Sequence, residues 1–279
     1  MYDILIDTII DNLKIFPFLF VTYVLLEYAE HKMSDKLSET IRKSGKFGPL
    51  IGSLCGTLPQ CGFSVAASNF YAARIIGIGT LMAVYLSTSD EMLPILLANT
   101  VSPVLITKIL VCKILCAVVF GYTIYFIWYK YHRRLPINIE QLCQNEGCHC
   151  EDQILWPALR HSLRITAFIF IVTLILNTGI TYFDIKAITQ YLQMPLCGKL
   201  FSALLGLVPN CSPSVILTKM YLDDFIDIGS LISGTLCNAG VGLLVLFRVN
   251  RHLKENLLIV SLLYGCGVLG GFLCELIKF

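Results

Sequence analysis

The chain has 279 residues, a formal net charge of +2, and 14% charged residues against 56% hydrophobic ones. Soluble domains carry roughly 25% charged residues, so this composition, with a mean hydropathy of +0.73, excludes an ordinary soluble domain and predicts an integral membrane protein. No stretch interleaves basic with aromatic residues as a nucleic-acid-binding surface does. We therefore expect the lipid bilayer, and not a nucleic acid, as a partner.

The first predicted element is a spanning helix over residues 13–29. Acidic residues precede it and no small-residue cleavage site follows, so we interpret it as a retained helix rather than a signal peptide. A span needs about 20 apolar residues. Further runs of about that length lie at residues 104–129, 163–179, 225–247 and 257–277.

Two segments 150 residues apart repeat each other. Residues 56–81 read GTLPQCGFSVAASNFYAARIIGIGTL, and residues 206–231 read GLVPNCSPSVILTKMYLDDFIDIGSL. Both contain the motif G-x-x-P-x-C-x-x-S-V, which places polar residues and a helix-breaking proline inside an apolar segment. Corresponding interruptions in the two halves of a membrane protein indicate a transporter's substrate site.

The repeat predicts two membrane units, residues 1–130 and 155–279, joined by a cytoplasmic, cysteine-rich linker over residues 131–154. In each unit a spanning helix is followed by a Pro-Cys segment, a third segment with a polar interruption, and a last span. The Pro-Cys segments are residues 48–73 and 198–223. The third segments are residues 75–98 and 225–247, interrupted at 87–90 and 237–240.

Loop charges predict how the Pro-Cys segments lie in the membrane. Basic loops at residues 30–47, 130–160 and 248–254 share the cytoplasmic side only if these segments re-enter instead of crossing. Each half then has three spans, an odd number, so the halves are inverted. The predicted fold is all-α and integral to the membrane, with two inverted-topology repeats that each contain three spanning helices and a re-entrant or broken-helix hairpin.

Ser212 and Pro213 are expected to cap the helix that leaves the second hairpin tip.

The paired tips are predicted to bind substrate. Thiols suit soft metals or a thiophilic metalloid such as trivalent arsenic, so Cys61 and Cys211 are candidate ligands. Helix N-termini at the tips would suit an anion instead, and a third interpretation is that Pro-x-Cys only permits close helix packing. The candidate substrate-binding residues are Pro59, Gln60, Cys61, Ser64, Pro209, Asn210, Cys211, Ser212, Ser214 and Asn238.

Two further sets of residues carry possible chemistry. Acidic residues inside membrane segments are usually functional, so Asp90 is a candidate for proton coupling, unless it only caps a helix at an interfacial turn. Oxygen ligands such as Asp90 and Asn238 would suit manganese. The linker residues Cys143, Cys148, His149 and Cys150 have donors typical of metal or metalloid capture, and the alternative is an oxidisable, disordered loop.

The remaining cysteines and membrane lysines receive structural interpretations. Free cysteines in apolar runs pack as small hydrophobes; we interpret Cys55, Cys112, Cys116, Cys197, Cys237, Cys266 and Cys274 in this way. Lys108 and Lys113 lie within a predicted span, but their counterparts are leucines, so we expect both to snorkel to an interface.

At the two G-x-x-P-x-C-x-x-S-V motifs the chain resembles a bacterial family of arsenic efflux permeases, also described as ten-helix heavy-metal exporters, some of whose members are labelled manganese transporters. It is more distantly similar to the organoarsenical permeases, which carry a Pro-x-Cys motif in each half. The resemblance covers about residues 10–275 and implies efflux of a metal or metalloid. The motif positions that it carries over are Pro59, Cys61, Ser64, Pro209, Cys211 and Ser214.

Together these observations predict a multi-pass secondary transporter of the inner membrane. It would export a small inorganic or organometalloid substrate, a trivalent arsenic species, by alternating access with proton coupling. The alternatives are a manganese or anion transporter and a non-transporting membrane sensor or subunit. We expect no enzymatic activity and no cofactor, and a homo-oligomer stays open.

Overall fold

The structure is a computed structural model of the chain. It describes residues 45–58, 62–89, 91–99, 101–131, 155–182 and 196–276, together with scattered helical positions between 6 and 24. Helices account for most of these residues, and no strand occurs among them. The predicted all-α membrane fold is confirmed. The first hairpin tip and most of the linker lie outside the described residues.

Helix boundaries recur at the same spacing as the sequence repeat. The first half contains α1 (Gly48–Gly56), α2 (Gly62–Ala72), α3 (Ile78–Ser87), α4 (Met92–Ala98) and α5 (Pro103–Tyr131). After α6 (Leu155–Tyr182), the second half contains α7 (Cys197–Gly206), α8 (Ser212–Leu222), α9 (Ile228–Cys237), α10 (Gly242–Val249) and α11 (Leu253–Leu276). Adding 150 to each boundary of α1 to α4 gives the boundaries of α7 to α10 to within one residue.

Each Pro-Cys segment is a hairpin of two short helices. Helices α7 and α8 have 10 and 11 residues, so each is about 15–17 Å long, half the thickness of a bilayer's hydrocarbon core. The two ends of this hairpin meet, because Lys199 in α7 pairs with Asp227, which follows α8, at 3.0 Å. Lys199 also pairs with Glu275 of α11 at 2.9 Å. The segment therefore returns to the end from which it started.

The third segments are long enough to span a membrane even though each is interrupted. Residues 78–98 and 228–249 are 21 and 22 residues long, and the helices at 103–128 and 253–276 are 26 and 24 residues long. By length and composition these four can cross a bilayer. Each broken segment begins three residues later than predicted, because Gly77 and Asp227 take extended N-cap conformations.

The same glycine pair joins the long helices in each half. An added Cβ on Gly79 of α3 would lie 2.6 Å from the carbonyl oxygen of Gly121 in α5. An added Cβ on Gly271 of α11 would lie 2.6 Å from the carbonyl oxygen of Gly229 in α9. Small residues let membrane helices approach at backbone distance, so the repeat extends to the packing of the spans.

The halves contact each other reciprocally. Helix α2 packs on α10 of the other half, and its counterpart α8 packs on α4, the counterpart of α10. Helices α3 and α9 pack on each other, and each contacts the other half's long helix. This is the contact pattern that a two-fold relation produces, in which a patch on one unit meets the same patch on the other.

A repeated left-handed turn follows α2 and α8. Arg74 and Asp224, at equivalent positions, have φ values of 61° and 58°. Arg74 donates to both carboxylate oxygens of Glu255 at 2.6 and 2.8 Å, and Tyr71 also donates to this carboxylate. The end of the first hairpin is thereby tied to the start of α11 in the second half.

Candidate functional site

The second hairpin tip is a buried turn held by its own amide. Asn210 is 2% exposed. Its side-chain oxygen accepts from the backbone N–H of Cys211 at 2.7 Å, and its amide nitrogen donates to the Ser212 hydroxyl at 3.1 Å. Asn210 therefore shapes the tip through hydrogen bonds to the two residues that follow it.

Helix α8 begins at the tip with a cysteine at its N-cap. Cys211 occupies the N-cap without a side-chain capping bond, and Pro213 lies in the first turn. The Ser214 hydroxyl donates to the carbonyl oxygen of Cys211 at 2.8 Å. The prediction that Ser212 caps this helix is wrong by one position, because the helix already includes Ser212. The buried side chain of Cys211 thus lies at a helix N-terminus, the positive end of the helix dipole.

Several predicted residues lie outside the described part of the chain. The tip residues Pro59, Gln60 and Cys61 and the coupling candidate Asp90 are among them. The linker candidates Cys143, Cys148, His149 and Cys150 are the others. Their roles stay predictions.

Each hairpin tip starts beside the interruption in its own half. An added Cβ on Gly56, the last residue of α1, would lie 2.1 Å from the Ser87 hydroxyl. An added Cβ on Gly206, the last residue of α7, would lie 2.1 Å from the carbonyl oxygen of Gly234 and 3.1 Å from Cβ of Cys237. The last residues of α1 and α7 are therefore at the same level of the fold as the ends of α3 and α9.

The interruption in the second half is closed by Asn238. This residue is the C-cap of α9 and is 2% exposed. Its side-chain oxygen accepts from the backbone N–H of Gly240 at 3.1 Å, and Gly240 has a φ of 55°. The candidate residue Asn238 is therefore a buried polar residue at this interruption. The side-chain oxygen of Asn238 thus stabilises the turn. The equivalent residue in the first membrane unit is Thr88.

A polar cluster joins the first hairpin to the second interruption. An added Cβ on Gly242, where α10 begins, would lie 2.7 Å from Cβ of Ser64 in α2. The Ser68 hydroxyl lies 2.7 Å from the carbonyl oxygens of Ser64 and Gly242 and 2.7 Å from the Tyr85 hydroxyl. Ser64 is fully buried. The predicted residue Ser64 therefore lies at the contact between the halves.

Lys113 lies between the two interruptions and is not at an interface. Its side chain is 1% exposed. Its ammonium group donates to the carbonyl oxygen of Thr88 in one interruption and, at 3.1 Å, to that of Thr235 in the last turn of α9. The expectation that Lys113 snorkels is wrong, because two helix C-termini with spare carbonyl groups converge on it. Lys108, five residues earlier, is exposed as that interpretation requires.

The sequence interpretation therefore missed that Lys113 is buried and bonded to carbonyl groups of both halves. A lysine inside an apolar span is a signal of function, but its leucine counterpart, Leu263, argued against a role in a symmetric site. Tyr85 was missed as well, since a tyrosine in a span does not differ visibly from core packing. Comparison of the two halves favours residues that occur in both, so it gave no weight to Lys113, whose counterpart is Leu263.

Comparison with known proteins identifies the class of membrane protein. Residues 1–153 match the family model ArsP_2, described as "Putative, 10TM heavy-metal exporter". The match covers more than half of the chain, so the chain belongs to this family. No curated protein and no solved structure matches the chain significantly. The family description agrees with the resemblance found at the two motifs, and it describes transporters of the membrane and not enzymes.

Proposed function

We propose that this protein is a secondary-active transporter that exports a thiophilic metalloid, a trivalent arsenic species, by alternating access. The carrying observation is that the second hairpin tip, with Cys211 at a helix N-terminus, starts beside one interrupted span. In the other half, Ser64 in the first turn of α2 lies against the start of α10. Polar, irregular backbone at membrane depth belongs where it lines a substrate site.

The orientation of the halves is part of this proposal. The paired ends of the second hairpin, Lys199 and Asp227, support re-entry from one side of the membrane. The ion pair between Arg74 and Glu255 supports an even number of crossings between these two residues, as re-entry requires. The repeats would then be inverted, and rocking of one half against the other would open the site to each side in turn.

The charge of Lys113 bears on the choice of substrate. Its amino group donates to the carbonyl oxygen of Thr88, two positions before Asp90 in the sequence, so a protonated Lys113 would bring positive charge to the site before any substrate enters. Like charges in a low-dielectric interior repel strongly. Arsenious acid is neutral at physiological pH and escapes this repulsion, whereas manganese(II) does not. The same observation favours an anion, held by Lys113 and the helix N-termini, as the second candidate substrate.

We assign coupling to protons to Asp90, two positions after Thr88 in the sequence, because a carboxyl group within a membrane segment can alternate between charged and neutral forms. A proton would enter as the arsenical leaves. Coupling requires that the bound proton and the bound arsenical stabilise different conformations of the transporter. In Asp90→Asn, exchange of substrate down its own gradient should persist while proton-driven accumulation is lost.

Uptake into everted membrane vesicles tests the proposal. Arsenite, methylarsenite and manganese(II) are compared with and without a proton gradient. We expect gradient-dependent accumulation of an arsenical, reduced about tenfold or more in Cys61→Ser and Cys211→Ser. Cys55→Ser, in α1 but outside the motif, is the matched control and should transport normally.

Three results would contradict parts of the proposal. Unchanged arsenical transport in both motif variants removes the thiols from the mechanism. Accumulation of manganese alone moves the site to oxygen ligands. Loss of all transport on deletion of residues 141–152, with the protein still in the membrane, makes the linker a required receptor.

A further inference from the structure

Three buried cysteines lie together where the two halves meet. The sulfur atoms of Cys112, Cys116 and Cys274 lie within 4.8 Å of one another, and the three residues are exposed by 4%, 8% and 0%. Cys112 and Cys116 are four residues apart and therefore share one face of α5, while Cys274 lies in the last turn of α11. None of them belongs to the Pro-Cys motif.

We propose that these three cysteines, in the reduced protein, form a second binding site that holds a trivalent metalloid through three sulfur bonds. Bonds of about 2.3 Å from a central ion to sulfur place three sulfurs at most about 4.0 Å apart. The observed upper limit of 4.8 Å exceeds that value by about 1 Å, and the sulfurs of Cys112 and Cys274, which are bonded to each other here, have to move apart. Rotation about the Cα–Cβ bonds moves the sulfurs, and the three side chains already place them close together.

Charge balance selects the class of ion. Arsenious acid reacts with three thiols so that three As–O and three S–H bonds break, three As–S bonds form and three water molecules leave. The product is neutral. Zinc(II) or copper(I) on three thiolates would leave a net negative charge in a core cluster that includes Leu86, Ile124 and Leu263, and burying a net charge is costly.

The disulfide state of the same residues is the competing state. In this structure a disulfide joins Cys112 and Cys274, which leaves Cys116 as the single thiol of the three. Their Cα atoms are 6.8 Å apart, at the upper end of the range for disulfides, a separation that also accommodates an inserted ion. Reduction is therefore required for binding. A phosphine reductant supplies it, since the phosphine takes up the oxygen of water and the two sulfurs are released as thiols.

Further sulfurs extend from this site toward the interrupted span. Cys266, the counterpart of Cys116 at the 150-residue spacing, belongs to the same buried cluster as the three cysteines, and the Cys237 thiol lies 3.4 Å from the carbonyl oxygen of Leu263, in the helix that carries Cys266. Cys237 ends α9 next to Asn238. An arsenical held by Cys116 thus has neighbouring thiols for exchange, in the direction of the candidate substrate site.

Equilibrium binding to the purified full-length protein tests this site without relying on transport. Five cysteines of the tips and linker are first replaced by serine to remove the competing thiols: Cys61, Cys143, Cys148, Cys150 and Cys211. The protein is reduced with the phosphine, desalted without oxygen and dialysed against arsenite. Bound arsenic is counted by mass spectrometry, and X-ray absorption counts its sulfur neighbours.

We expect one arsenic per chain with three sulfur neighbours. Cys112→Ser, Cys116→Ser and Cys274→Ser should each weaken binding by about tenfold or more, while Cys55→Ser and Cys197→Ser in the same background should not. Elution and thermal unfolding of each variant identify those that fail to fold, and Cys116→Ala then replaces Cys116→Ser. Binding that survives all three substitutions, arsenic with two sulfur neighbours, or equal binding to unreduced protein would overturn the proposal. Failed transport with intact binding would reject the proposed function and leave this site standing.

Discussion

Lys113 has two backbone carbonyl groups as acceptors, one from each half of the chain. Both the Thr88 and the Thr235 oxygens lie at helix C-termini, where cations are favourable because of the macrodipole. The side chain thus occupies the place in which broken membrane helices coordinate coupling cations in some transporters. A resident ammonium group replaces a bound cation in satisfying these carbonyl groups.

Lys113→Met should destabilise the protein, because two buried carbonyl groups lose their donor at about 1–3 kcal/mol for each group left unpaired. Thermal unfolding in detergent measures this loss. Lys108→Met on the same helix is the control, and an exposed substitution of this kind should stay within about 0.5 kcal/mol. A Lys113→Met protein as stable as the parent would mean that the carbonyl groups find other donors.

Asp227 predicts a pH dependence at the base of the second hairpin. Burial raises the pKa of Asp227, but hydrogen bonds from Ser230 and Lys199 lower the pKa by a larger amount. The pKa of Asp227 therefore lies below its ordinary value. A carboxyl group with a lowered folded pKa stabilises the protein fully above its unfolded pKa, about 3.9. This stabilisation is lost as the pH falls through the folded pKa.

Asp227→Asn keeps the capping oxygen and removes the charge. It should therefore lower the unfolding temperature at pH 7, and the difference from the parent should shrink as the pH falls below about 4. Asp223→Asn, an exposed substitution nearby, should leave the unfolding temperature unchanged at both values. A constant difference for Asp227→Asn at every pH would show that the effect is not electrostatic.

At the residue scale the sequence predicted the residues that repeat. Cys211 and Ser214 were selected because they repeat Cys61 and Ser64, and Asn238 because it is a polar residue in the second interruption; each lies at a helix end in the core. Lys113 and the group Cys112, Cys116 and Cys274 were interpreted as ordinary span residues. Their neighbours come from distant parts of the chain, and local sequence carries no record of those contacts.

At the scale of elements, the close approach of each hairpin to its interrupted helix depends on glycine. In Gly206→Ala the added Cβ meets the Gly234 carbonyl oxygen at 2.1 Å, against backbone that cannot move aside easily. We expect destabilisation of about 1–3 kcal/mol, typical of overpacking, measured as a lower unfolding temperature.

Gly265→Ala is the matched control for this prediction. Gly265 is also helical, in α11, but an added Cβ there meets nothing within 4 Å. Alanine is about 1 kcal/mol more favourable than glycine in a helix interior, so this variant should be as stable as the parent or more stable. If both variants behave alike, helix propensity and not close packing governs Gly206.

The boundaries of the hairpins could be predicted because glycine and proline punctuate them. The Pro-Cys segments were expected at residues 48–73 and 198–223, and the helices occupy 48–72 and 197–222. The pairing of α2 with α10 and of α8 with α4 could not be predicted. All these helices are apolar around most of their circumference, so hydrophobic periodicity does not identify the partner of each face.

At the scale of the whole molecule, the proposed inversion predicts which loops share a side. Lys46 and Arg251 should face the cytoplasm, and Asp223 should face the opposite side; all three are exposed. Single cysteines at these positions, in a background without other reactive thiols, can be labelled with a membrane-impermeant maleimide.

Intact cells should label only Asp223→Cys, and everted vesicles should label Lys46→Cys and Arg251→Cys. Reversal between the two preparations is the internal control for sidedness. Arg160→Cys, exposed at the start of α6, separates the two topologies, because Lys46 and Arg251 share a side in both. It should be labelled together with Lys46→Cys in everted vesicles. Labelling of Arg160→Cys in intact cells instead would mean that the Pro-Cys segments cross the membrane and that the halves are parallel.

The reciprocal contacts between the halves have a consequence for how such a chain assembles. A self-complementary patch is what a homodimer of half-length chains would use, and its formation would depend on protomer concentration. Joining the halves with a linker of some twenty residues turns that encounter into an intramolecular one, at an effective concentration in the millimolar range. Once joined, the two halves no longer need to be identical. Cys112, Lys113 and Cys274 each occur in one half only, since their counterparts at the 150-residue spacing are Leu262, Leu263 and Ile124. A homodimer of identical half-length chains would carry every such residue twice.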